Sequence, residues 1–84
     1  NVETLYHILD SRAEALEFVI REESEVTGIP LMNLNLKNNL LIGCINRGGN
    51  IKIARGQDCI QQGDTVIVLT SQKGLRDIRD ILRK

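Results

Sequence analysis

The pair Gly48-Gly49 lies between an unbroken apolar run, Leu40-Leu41-Ile42-Gly43-Cys44-Ile45, and an alternating segment, Asn50-Ile51-Lys52-Ile53-Ala54. Two glycines between β-forming runs supply the positive φ angles of a tight hairpin turn, so the middle of the chain is committed to two antiparallel strands. A second turn signal, Gly63-Asp64, precedes Thr65-Val66-Ile67-Val68-Leu69-Thr70. The β-branched residues of that run suit a pleated surface. Upstream, Leu16, Phe18 and Ile20 alternate with Glu17, Val19 and Arg21 from Ala15 onward, the period of a strand with one buried and one mixed face.

Helical spacing marks the remaining segments. Val2, Leu5, Tyr6 and Leu9 fall on one stripe that Asn1 can cap, and Asp10-Ser11-Arg12 breaks the pattern. A helix at that position suits either the core or the tail of an upstream linker, and the charge it carries outside the stripe favours a linker helix over residues 1–12, leading in from an absent N-terminal domain. Pro30 suits the first turn of a short helix through Leu31, Met32 and Leu34. Ser71 can cap a last helix with an inner stripe of Leu75, Ile78 and Leu82 and an Arg76-Asp80 pair one turn apart. The expected order over residues 13–84 is β-α-β-β-β-α. That is an α+β domain, a mostly antiparallel sheet with helices packed on it.

At 84 residues the chain supports one core. Tyr6 and Phe18 are its only aromatics, so that core is built from Ile, Leu and Val. A sheet in so small a domain leaves edges and apolar surface to cover, which implies a homodimer. No apolar run approaches the roughly 20 residues that span a bilayer, and the N-terminus lacks a signal-like pattern. These features imply a cytoplasmic protein, and Asn1 in place of Met points to an excised or processed piece. Cys44 and Cys59, even with His7, fall short of a closed four-ligand zinc site and are expected as free thiols. The formal net charge is zero, with seven acids against Arg12 and Arg21 in residues 1–25. That balance argues against general nucleic-acid binding, which needs a basic surface.

Catalytic signatures are missing. There is one His, and neither Gly-x-Ser-x-Gly nor His-Glu-x-x-His occurs, so the chain is not read as an enzyme. Gly48-Gly49 lacks the Lys-Ser or Lys-Thr of a phosphate loop, and no Gly-x-Gly-x-x-Gly follows a strand. Glu22, Glu23 and Glu25 read as a solvated face in preference to a hard-cation site. The more suggestive group is Asn46, Arg47, Lys52 and Arg55, with Ile45, Ile51 and Ile53 between them. Guanidinium for phosphate and aliphatic side chains for a base face would suit an anionic nucleotide. Charges that merely solubilise an exposed hairpin explain the same residues.

The segments Glu14-Ala15-Leu16-Glu17-Phe18-Val19-Ile20, Gly28-Ile29-Pro30-Leu31, Ile42-Gly43-Cys44-Ile45-Asn46-Arg47-Gly48-Gly49 and Cys59-Ile60-Gln61-Gln62-Gly63-Asp64-Thr65-Val66-Ile67-Val68 together resemble the C-terminal subdomain of TrkA-type potassium-uptake proteins, in the regulator of potassium conductance family. The resemblance covers about residues 13–84. It implies a domain that dimerises, sits on the cytosolic face of a membrane potassium transporter, and transmits ligand state to it. Any NAD or ATP would belong to the absent N-terminal half, and no cofactor is implied for this piece. Some relatives bind cyclic di-AMP at the dimer interface, which makes Asn46, Arg47, Ile51 and Arg55 the ligand-binding candidates. The chain departs from the family at Ala54, where Pro is common. The same module occurs as a ligand-sensing accessory domain of transcription regulators and of other transporters.

Overall fold

Strand β2 (Ala13–Val19) alternates fully buried and half-buried residues along its length, as its sequence pattern requires. In the computed structural model, which describes residues 2–83, it lies between β1 (Val2–Ile8) and β5 (Thr65–Thr70). The hairpin of β3 (Leu40–Arg47) and β4 (Asn50–Ile53) completes a five-stranded sheet in the order β1-β2-β5-β3-β4. Every neighbouring pair is antiparallel. Gly48 and Gly49, at φ 60° and 90°, make the β3–β4 turn.

Register assembles the core in rows across three strands. Leu16 faces Val68, which faces Ile42, and Phe18 faces Val66, which faces Ile45. Ile42 and Ile45 are three residues apart and would point to opposite faces of a regular strand. A β-bulge between Ile42 and Cys44 inserts Gly43 and returns both isoleucines to the core side, where they are 4% and 0% exposed. Over this face fold the three irregular segments, residues 20–39, 54–63 and 71–83, which contribute Val26, Leu31, Ile60, Leu75, Ile78 and Ile81. These segments hold themselves by backbone pairing: Gly63 donates to the Ile20 carbonyl at 2.7 Å, and Ile20 donates to Asp64 at 2.8 Å.

The antiparallel sheet appears as expected, and the α-helices do not. Residues 2–8, expected as a linker helix, form strand β1. Their stripe at helical spacing competes with alternation of Thr4, Tyr6 and Ile8 against Leu5 and His7, and the free edge of β2 offers backbone partners along its length. The capping role expected of Asn1 lies outside the described residues. The Pro30 segment is a 3₁₀ turn, Leu31–Asn33. The last helix is also a 3₁₀ turn, Ile78–Ile81, preceded by an extended Asp77 whose carboxylate accepts from the Arg79 amide. The end of this segment is tied to a distant part of the chain: Lys37 donates to the Ile81 carbonyl at 2.9 Å and Arg83 to Asn35 at 2.7 Å. Ile81 takes the buried place expected of Leu82, which is only partly buried.

The link between β1 and β2 is unusual. Leu9, Asp10 and Ser11 have φ of 52°, 57° and 65°, three successive non-glycine residues with left-handed φ. Each costs roughly 1–2 kcal/mol in that conformation.

Phe18 is fully buried between the sheet and its cover. Phe18→Ala should therefore destabilise the domain by about 3–5 kcal/mol, read as a lowered urea midpoint with little change in slope.

Candidate functional site

The pleat decides what the hairpin can present. Register partners Asn46 and Ile51 lie on the outer face of the sheet, the side away from the core, together with Cys44 and its partner Ile53. Arg47 and Lys52 point the other way. Asn46, Arg47, Ile51 and Arg55 are thus close in sequence but divided between two faces. Ile45, expected among them, is fully buried in the core.

Arg47 makes a bidentate pair with Asp64: Nε donates to Oδ1 at 2.8 Å and Nη2 to Oδ2 at 2.9 Å. Nη2 also donates to the Cys59 carbonyl at 2.9 Å. Asp64 is 1% exposed and accepts a further bond from the Gln61 amide at 2.8 Å. The pair therefore fastens the end of β3 to the turn that launches β5. Burial alone would raise the Asp64 pKa, but the Arg47 hydrogen bond, the Gln61 amide and the Arg47 charge outweigh it and hold the carboxyl below the usual range. Asp64 was legible in the sequence only as a turn residue. Its pairing with a residue 17 positions away has no local signal.

Lys52 reaches Asp58, Nζ to Oδ1 at 2.9 Å. The same carboxylate accepts the Arg55 amide at 2.7 Å, and the Asp58 pKa is lowered first by Lys52 and then by that amide. Asn46 uses its Oδ1 to accept from the Gly49 amide at 3.1 Å, bracing the glycine turn. Arg55 keeps an exposed guanidinium with no hydrogen bond or ion pair among the described residues. Ile51 and Ile53 are 70% and 73% exposed on the outer face.

That outer face is largely apolar. Leu69 on β5 is flanked by Ala15 and Leu41, Ile67 by Glu17 and Cys44, and Tyr6 and Ile8 extend the row onto β1. Leu41 and Tyr6 are 61% and 62% exposed, and no segment of the described chain folds over them. Cys44 and Cys59 are free thiols, as expected. A groove of about 310 Å³ lies elsewhere, between residues 19–24 and Asp77-Ile78-Arg79. Among the described residues no three of His, Cys, Asp and Glu are gathered as a metal site, and no helix is long and apolar enough to cross a membrane.

Comparison with known proteins sets these features in a family. Residues 15–83 match the model of the TrkA-C domain. The chain is 34% identical over 73 residues to a Trk system potassium uptake protein TrkA homolog of Pyrococcus abyssi, an alignment covering 86% of this chain and 32% of that protein. To the Trk system potassium uptake protein TrkA of Haemophilus influenzae it is 36% identical over 76 residues, covering 87% of this chain and 16% of the relative. A homolog from Methanosarcina mazei is 29% identical over 77 residues, 92% of this chain and 17% of its own. The chain spans about a third or less of the length of these relatives.

Arg47→Ala would leave a buried carboxylate short of its main partner, so it is expected to cost about 2 kcal/mol in denaturant unfolding at neutral pH. Because folding lowers the Asp64 pKa, the pair stabilises fully above the unfolded value of about 4 and its contribution is lost as pH falls through the depressed folded value. The stability of the wild type relative to Asp64→Asn should accordingly shrink below that pH and hold constant from there to neutrality.

Proposed function

The chain belongs to the TrkA-C domain family, and from that premise we propose that it is the cytosolic ligand-sensing and pairing module of a Trk-type potassium transport system, a regulatory part with no catalytic role. It follows a nucleotide-binding portion in the whole protein and contacts a membrane transporter subunit. In such an arrangement this domain changes its pairing or shape on binding a small anionic ligand, and the upstream portion relays that change.

One observation carries this reading: the outer sheet face is broad, apolar and uncovered. Leu41, Leu69, Ile51, Ile53 and Tyr6 expose aliphatic and aromatic surface, with Glu17 the one charged side chain in the rows between them. Contiguous apolar surface on so small a domain marks an interaction site. A second copy of the same chain is the occupant, since a twofold axis sets the same apolar face, with its one carboxylate, against itself.

Arg55, exposed and without an ion-pair partner among the described residues, and Ile51, exposed on the outer face, are the residues through which an anionic nucleotide is bound, with cyclic di-AMP the first candidate. Asn46 contributes an amide next to Ile51 on the same face. Arg47 serves this site by holding the hairpin to the body of the domain, which the notion of a direct phosphate contact would not require.

Light scattering at low micromolar concentration should give twice the 9.4 kDa chain mass, and Leu41→Glu/Ile53→Glu should give a monomer. A clean monomer for the unmodified chain would overturn the face pairing. Titration calorimetry with cyclic di-AMP should show binding that Arg55→Ala weakens about tenfold with the fold intact. No heat at millimolar nucleotide would remove ligand sensing and leave the pairing role standing.

A further inference from the structure

β1 is an edge strand with no fully buried residue, and β2 is its one strand partner in the sheet. It and the turn that follows lie ahead of residue 15, where the family match begins. That turn holds Leu9, Asp10 and Ser11 in succession at φ 52°, 57° and 65°. Left-handed backbone is ordinarily visited by single residues, chiefly Gly, Asn and Asp, and not by runs that include Leu. A glycine turn like that of the β3–β4 hairpin would close the same link without strain.

What holds β1 in place is specific and is independent of the turn. Thr4 to Ile8 pair in register with Glu17 to Ala13. Val2 packs against the core. Glu3 Oε2 accepts from Arg21 Nη2 at 2.7 Å, and His7 Nδ1 lies 3.9 Å from Glu14 Oε2. Each of these contacts forms equally well when β1 comes from a second copy. Opening the turn then relieves the left-handed residues and gives up one backbone bond, from the Arg12 amide to the Leu9 carbonyl at 3.1 Å, so exchange is opposed by that bond and by the entropy of association. Short strained hinges favour this kind of exchange.

We propose that β1 is an exchangeable strand: two copies of this chain lay β1 on each other's β2, with residues 9–12 extended as the hinge. The contact is separate from the outer-face pairing and does not rest on it, since it uses the edge of β2.

The test uses chains in which Cys44 and Cys59 are replaced by Ala. His7→Cys is placed in one chain and Glu14→Cys in a second, mass-tagged chain. These positions are register partners, and Glu14 is only 6% exposed, so a thiol introduced there is reached by a strand lying on β2 and not by a partner on the outer face. Glu14 Oε1 has no hydrogen-bond partner in the structure, so replacing Glu14 gives up only the 3.9 Å approach of its Oε2 to His7, and the register pairing that holds β1 stays. After joint refolding at high concentration and mild oxidation, a disulfide-linked heterodimer is expected on a non-reducing gel. Leu9→Gly in both chains, which relaxes the closed turn, should lower its yield about fivefold. Deleting Leu9 to Arg12, which leaves no residue to turn between the register partners Ile8 and Ala13 and so prevents closure, should raise it. The proposal is overturned if no heterodimer forms while a chain carrying both cysteines closes its internal disulfide to completion, or if the yield is indifferent to both hinge changes. Neither outcome bears on Leu41→Glu/Ile53→Glu, so failure of the exchange and failure of the face pairing are distinguishable.

Discussion

The domain depends on covering one face of a sheet with chain that is almost devoid of regular structure. Leu16, Phe18, Val66, Val68, Ile42 and Ile45 form a continuous aliphatic surface with one aromatic residue, and it must be removed from water. Helices would normally supply the cover because they satisfy their own backbone. Here the cover is made of two 3₁₀ turns and extended connections, so each buried amide and carbonyl needs a partner elsewhere. The Ile20–Asp64 and Gly63–Ile20 bonds, the Gly28–Ile60 bond and the pairing of residues 35–37 with 81–83 meet that need.

The polar clamp of Arg47 and Asp64 extends the same logic to side chains. Asp64 follows a glycine in a tight turn and is carried inside by the chain's need to start β5 with Val66 inward. A buried carboxylate without a cation is costly. Arg47 is available because it ends β3 on the core side, two residues after Ile45. The bidentate geometry also bonds the Cys59 carbonyl, so one guanidinium ties together β3, the loop before β5 and the turn. An arginine used in this way fixes the position of the hairpin on the body of the domain.

The two faces of the sheet thus have different tasks. The inner face is a packed core whose residues are interchangeable only with others of like volume. The outer face is free of such constraint and still carries Leu41, Leu69, Ile51, Ile53 and Tyr6, surface that is costly to leave in water. The N-terminal strand adds a further edge, joined through a turn whose strain is local and whose register is specific. These two surfaces, one a face and one an edge, are those on which the proposed contacts with other chains rest.

Alternation in residues 15–20, the glycine pair before Asn50 and the β-branched run from Thr65 determined three parts of the sheet, because period and turn chemistry act over a few residues. Tertiary structure decided the rest. Whether Val2 to Leu9 becomes helix or strand depends on the open edge of β2, which no local pattern encodes. The Ser71 segment makes only a 3₁₀ turn and ends in backbone bonds to residues 35–37, partners far from it in sequence. The apolar run from Leu40 to Ile45 does not say which side chains face inward, and a bulge at Gly43 settles it through pairing with β5. Arg47 and Asn46 differ by one position, and the pleat sends them to opposite faces: one becomes a clamp on a carboxylate 17 residues away, and the other remains on the surface beside Ile51. Local preference is additive along the chain, whereas pairing and burial depend on partners distant in sequence, and those partners assigned each candidate residue its role.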